Sequence, residues 1–184
     1  RGRSIPLKTF SKLLSKNDIS MLSLQKGFGS EQLEDCFFRD RFVGCQTEID
    51  STWDFLENAA IIENCDLIIS CDTSIAHLAG GMGKPVWLLL RDIPFWTWGM
   101  KSKETFWYPS MKLFRQKERY NWDEVMERVA TTLIKYMGNM KNNNSSTIYA
   151  PISHGELIDK ISILEIKKVR LEGSKLNNIN KELE

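Results

Sequence analysis

An α/β fold, a doubly wound parallel sheet carrying a short helical tail, is predicted by three features of this sequence. Residues 66–71 and 86–90 are continuous apolar runs, the pattern of parallel strands covered on both faces. A short helix of small residues at 74–82 joins them, giving strand, helix and strand with brief links. Bulk composition agrees: of 184 residues, 42% are hydrophobic and 27% charged, the usage of ordinary globular domains. The formal net charge of +1 argues against the electrostatic footprint that nucleic acid or an anionic membrane requires. No apolar run approaches the roughly 20 residues of a transmembrane helix, so no transmembrane segment is expected.

In chain order, residues 6–15 space Leu7, Phe10, Leu13 and Leu14 as an amphipathic helix, with Ser4 as its cap and Pro6 in its first turn. A strand is expected at 19–25 and ends at Lys26-Gly27. A short helix follows at 30–38 and a short strand at 41–45. The helix at 52–64 places Phe55, Leu56, Ala59, Ala60 and Ile62 on one apolar face. After the strand–helix–strand unit, 91–110 is a long loop holding Trp96, Trp98 and Trp107 with Phe95, Phe106 and Tyr108. Loops of this length inside compact domains are usually functional or covering elements. A further strand at 111–115 and an amphipathic helix at 122–137, bearing Trp122, Val125, Val129 and Leu133, complete the domain.

Composition then changes. Residues 138–147 are a polar, asparagine-rich linker. A short extended piece is expected at 148–152 and a helix at 154–171, so 148–184 reads as the start of a second, truncated helical module. Its Glu156, Asp159 and Lys160 form either a site or a solvated helix face. The first residue is Arg1 rather than Met, and the first ten residues carry no signal-peptide core. The chain is thus expected to be a fragment of something longer.

Cys36, Cys45, Cys65 and Cys71 lack the paired spacing of a zinc site, and His77 and His154 are the sequence's two histidines. No metal is therefore expected. Free thiols among apolar neighbours, kept reduced in the cytoplasm, are the expectation.

Chemistry concentrates where the strand at 66–71 delivers Asp72-Thr73-Ser74 to its carboxyl end and a helix begins. Ligands of open α/β sheets bind at that edge, and a helix amino terminus offers free N–H groups and positive dipole to phosphate. Thr73, Ser74 and His77 can serve the same anion. Asp72 would repel it, so its natural partner is a sugar hydroxyl. On the residues alone, the competing account is a helix cap at Asp72 or Thr73 with a packing histidine at His77. A Ser74–His77 catalytic pair is disfavoured because no nucleophile elbow surrounds it. Gly80-Gly81 and Gly83 close a helix rather than cradle phosphate.

The run Asp66-Leu67-Ile68-Ile69-Ser70-Cys71-Asp72-Thr73-Ser74-Ile75-Ala76-His77-Leu78-Ala79-Gly80, continued by Gly83-Lys84-Pro85-Val86-Trp87, resembles the donor-site signature of heptosyltransferase-like (glycosyltransferase family 9 type) enzymes. The likeness is to the branch often fused to tetratricopeptide repeats, whose pattern Trp107-Tyr108-Pro109-Ser110-Met111-Lys112-Leu113-Phe114-Arg115-Gln116 is also similar. The resemblance covers residues 1–137. It implies the carboxyl-terminal, Rossmann-like, nucleotide-sugar-binding half of a GT-B fold, incomplete at its start, and metal-independent inverting transfer that needs no cofactor beyond the nucleotide-diphosphate sugar. By position, Asp72 would contact donor sugar hydroxyls, and Thr73, Ser74 and His77 would neighbour the diphosphate. Arg3 matches a basic position on the donor phosphates, and Lys26 is a second basic candidate, with an exposed surface lysine as the competing account.

The sequence departs from the family at Ser74, where core heptosyltransferases often have Gly, and at Phe95 and Thr97, where an acidic and a basic residue are more usual. The catalytic base would lie in the amino-terminal GT-B domain, absent here, so none is assigned. Implied partners are a nucleotide sugar, an acceptor glycan, lipid or protein, and that missing domain, in the cytoplasm up to the inner membrane surface. The rival reading is a non-catalytic nucleotide- or sugar-binding or scaffolding module. A flavodoxin-like redox or receiver domain would need a phosphate loop or an acidic pocket that the sequence lacks. The tail, with Gly155-Glu156-Leu157 and Asp159-Lys160, resembles the opening of a bacterial domain of unknown function.

Overall fold

The computed structural model describes residues 4–15, 19–141 and 148–153. Its centre is a five-stranded sheet in which every pairing is parallel. The elements are β1 (Ile19–Ser23), α1 (Gln46–Ser51), α2 (Phe55–Glu63), β2 (Ile68–Cys71), α3 (Ser74–Gly81), β3 (Val86–Leu90), β4 (Met111–Arg115), α4 (Trp122–Lys141) and β5 (Ile148–Ser153). The strand order across the sheet is β1-β5-β2-β3-β4.

Alternation along the strands builds two cores. Trp87 and Leu89 of β3, with Leu67, Ile69 and Cys71, face a layer made by α4 and residues 5–13. Val86, Leu88 and Leu90, with Ile68, face α1, α2 and α3 on the opposite side. All four β2 and all five β3 residues are buried, as a strand covered on both faces requires. The predicted α/β architecture, a parallel sheet flanked by helices, is therefore present.

Both sheet edges are closed by local chemistry rather than left open, which removes a template for unwanted pairing. On β1, the Gln46 side chain accepts from the Ser23 N–H at 2.8 Å and donates to its carbonyl at 2.9 Å, imitating a neighbouring strand. Val43 N–H donates to the Met21 carbonyl at 2.8 Å. On β4, the Leu113 N–H donates to the Lys103 carbonyl at 2.8 Å, and Arg128 donates to the Arg115 carbonyl.

Several local expectations are corrected. Leu7–Ser15 is a 3-10 helix, not an α-helix; Leu7, Phe10 and Leu13 recur every three residues, which suits its three-residue turn, and all are buried. The expected helix at 30–38 contracts to a 3-10 turn, Ser30–Leu33. The short strand expected at 41–45 is instead a turn and one bridge, Met21 to Phe42, leading into the unpredicted α1. In α2 the expected apolar face holds at Ile62, which is buried, but not at Leu56, which is 81% exposed, and the polar Asn58 is buried instead. That helix starts later than expected because Asp54 caps it, accepting from the Glu57 N–H at 2.7 Å. Residues 148–153, expected as a short extended piece opening a separate module, are extended and pair within the sheet, Ile19–Ser23 lying against Ile148–Ile152. The helix expected at 154–171 lies outside the described residues, as do Glu156, Asp159 and Lys160. No helix among the described residues is long and apolar enough to cross a membrane.

All four cysteines are free, but Cys45, just before α1, is exposed rather than seated among apolar neighbours. Leu88, fully buried between the faces, should cost about 2–5 kcal/mol when replaced by alanine. The Leu56→Ser variant should change stability by no more than about 0.5 kcal/mol, and urea unfolding of both variants checks the contrast.

Candidate functional site

The carboxyl edge of β2 and the start of α3 bring together four residues singled out in the sequence. Asp72 is largely shielded, Thr73 is buried, Ser74 is half-buried and His77 stands in the open. The helix sits there for local reasons. Thr73 is extended at the cap position, and small residues let α3 pack on the sheet through Ile75, Ala76, Ala79 and Gly80. Its far end closes with paired hydrogen bonds, Gly83 N–H to the Gly80 carbonyl and Lys84 N–H to the Ala79 carbonyl, around a left-handed Gly83. The glycines at 80, 81 and 83 thus terminate a helix, as expected.

The competing account of Thr73 as a helix cap is corrected. Its hydroxyl does not bond α3; it lies 3.1 Å from the Ser70 hydroxyl, which in turn donates to the Cys71 carbonyl. The amino end of α3 therefore has no side-chain cap, and its first N–H groups and dipole face the sheet edge. Ser74 Oγ is buried, with no hydrogen-bond partner among the described residues. An uncapped helix start with an unpaired hydroxyl suits an anion or a hydroxyl-rich ligand.

His77 is held more firmly than its exposure suggests. Its Nδ1 lies 2.9 Å from the Tyr108 hydroxyl and its Nε2 3.8 Å from Asp72 Oδ1. The Trp98 ring lies 5.2 Å from the imidazole, inclined by 32°. Sequence reasoning missed Tyr108 and Trp98 as partners of His77. Both belong to the aromatic loop, but no periodicity links residue 77 to residue 108. Within that loop Trp98 is buried as a covering residue, whereas Phe95, Trp96 and Phe106 are exposed. Beside Asp72, a small cavity is bordered by Arg91, Pro94, Phe95 and Trp122.

The remaining two candidates stand elsewhere. Arg3 lies outside the described residues. Lys26 is 5% exposed, which corrects its surface-lysine reading, and its ammonium donates to the Ile49 carbonyl at the carboxyl end of α1. Thr52 Oγ1 donates to the same carbonyl at 2.8 Å. Since β5 separates β1 from β2, the strand that Lys26 follows lies about 10 Å from the one that Asp72 follows. Its cation offsets a helix carboxyl terminus rather than joining the Asp72 cluster. No group of three or more His, Cys, Asp or Glu side chains able to hold a metal occurs among the described residues.

Comparison with known proteins adds one relative. The chain is 33% identical over 133 residues to Protein FlbA of Caulobacter vibrioides, covering 70% of this chain and 21% of that protein. The chain therefore spans about a fifth of the length of the curated relative it matches. No protein-family model matches the chain. No solved structure matches it either.

Burial lowers the Lys26 pKa, and the nearby Asp50 and Glu57 carboxylates only partly oppose it. Below its folded pKa this ammonium is charged in both states, and its burial costs stability. Between that value and the ordinary lysine value of 10.5 the unfolded chain binds more protons, so this contribution to stability rises with pH. The stability of wild type minus that of Lys26→Met should therefore increase as pH rises toward 10.5, measured by urea unfolding at matched pH.

Proposed function

We propose that this chain is the donor-binding half of a GT-B glycosyltransferase, taking a nucleotide-diphosphate sugar for metal-independent inverting transfer. The observation that carries the reading is the uncapped amino end of α3 beside Asp72, Ser74 and His77 at the carboxyl edge of a parallel sheet. Supporting it is the resemblance of residues 66–87 and 107–116 to the heptosyltransferase-like signature. In this reading the helix start and His77 take the diphosphate, Ser74 adds a hydroxyl donor, and Asp72 accepts from the sugar hydroxyls. Inverting transfer needs positive groups to stabilise the leaving diphosphate and a base to deprotonate the acceptor. The chain supplies the first; the base belongs to the opposing amino-terminal domain, so the chain alone binds donor without completing transfer. The acceptor is a glycan, lipid or protein. The reading sets this work in the cytoplasm, where four free thiols stay reduced.

Titration of the 184-residue chain with uridine, guanosine and adenosine diphosphates and their sugars tests the reading by thermal unfolding. A ligand at ten times its Kd stabilises by about 1.4 kcal/mol, which for a chain of this size raises Tm by about 3–6 °C. Asp72→Ala and His77→Ala should abolish most of the shift. No shift with any nucleotide at millimolar concentration overturns the reading; a shift that persists in both variants overturns the site.

A further inference from the structure

We infer that Tyr108 is a positioning residue for His77, reinforcing by its hydrogen bond at Nδ1 the imidazole tautomer that turns the Nε2 proton toward Asp72. His77 and Gly80 are one turn apart on α3 and so share a face of that helix. Tyr108 lies across this face, with its hydroxyl at His77 Nδ1 and its ring on Gly80. The fit at Gly80 is close: a Cβ there would stand 2.7 Å from Tyr108 Cγ and 2.9 Å from Cδ1. The tyrosine backbone is anchored too, its carbonyl accepting from the Met111 N–H at 2.9 Å where β4 begins. Three rings then fix one another, with His77 5.7 Å from Tyr108 at 69° and Trp98 6.3 Å from Tyr108.

The electrostatics choose the direction of the bond. An imidazole protonated on Nδ1 would present its Nε2 lone pair to the Asp72 carboxylate 3.8 Å away, which is repulsive. Protonated on Nε2, it presents N–H to that carboxylate, and Nδ1 accepts from the tyrosine hydroxyl. Asp72 thus sets which nitrogen carries the proton, and the Tyr108 hydroxyl adds a hydrogen bond to the same tautomer. Together they give an open side chain a fixed donor direction at the amino end of α3. The ring geometry stands on its own, but its importance for ligand binding rests on the donor-site reading.

Long-range proton–nitrogen NMR spectra of the full chain at about pH 8.5, above the ordinary imidazole range, test this directly. His77→Ala assigns the signals against His154. Wild type should show His77 as the Nε2–H tautomer, and Tyr108→Phe, which keeps the ring and Asp72 but removes the hydroxyl, should raise the Nδ1–H fraction with Tm nearly unchanged. Gly80→Ala, by displacing the ring, should raise it likewise. In the titration with uridine, guanosine and adenosine diphosphates, Tyr108→Phe should weaken the binding nucleotide about 2- to 10-fold, the worth of one net hydrogen bond. The inference is overturned if the proportion of the two His77 tautomers is the same in wild type and Tyr108→Phe, or if a nucleotide bound by wild type is bound equally well by that variant. A tautomer change in a chain whose wild type binds no nucleotide supports the positioning role and removes the donor reading, so the two fail separately.

Discussion

Two strands that are apolar on both faces impose the organisation of everything around them. β2 and β3 cannot meet water on either side, so each face needs its own cover. α4 and the 3-10 helix Leu7–Ser15 supply one cover, and α1, α2 and α3 supply the other. Because β2 and β3 are parallel neighbours, the link between them must return along the full sheet, and α3 is that return. Its amino end consequently stands at the carboxyl edge, where β2 also delivers Asp72. The position of the candidate site follows from burial before any polar residue is considered.

Local hydrogen bonding then decides what that position offers. The Thr73 hydroxyl is committed to Ser70 rather than to the helix behind it. Capping by a side chain is worth about 0.5–2 kcal/mol, and α2, with Asp54, has it. α3 goes without, which leaves donors free at its start. Breaking a local rule at one place in an otherwise consistent fold is where function is expected. Lys26 illustrates the converse: a cation at a strand end, a natural candidate for phosphate, is buried against the end of α1 and serves the fold.

The aromatic residues of the 91–110 loop divide along the same line. Trp98 is inside and joins the core beneath α3, as a covering element should. Tyr108 is intermediate, with its ring on a glycine and its hydroxyl at His77. Phe95, Trp96, Phe106 and Trp107 remain exposed and pair with one another, Phe95 with Trp96 at 5.8 Å and Phe106 with Trp107 at 4.6 Å between ring centroids.

The apolar runs that became β2 and β3, the small-residue helix between them, the closing glycines and the amphipathic stripe of α4 were all legible in the sequence. Each depends on periodicity or backbone freedom over a few residues, and local pattern carries that information. Asp72, Ser74 and His77 were legible as a cluster because one strand end and one helical turn place them together. The exposed Leu56, the turn where a strand was expected near Phe42, and the role of Lys26 were not, since each depends on which neighbour arrives from elsewhere. The same holds for β5 between β1 and β2, and for Tyr108 beside His77. The sequence by itself determined an α/β unit with a polar strand-to-helix junction. The tertiary structure alone decided the order of strands and the partners of the junction's side chains, because those contacts join residues far apart in the chain and are selected by packing rather than by local propensity.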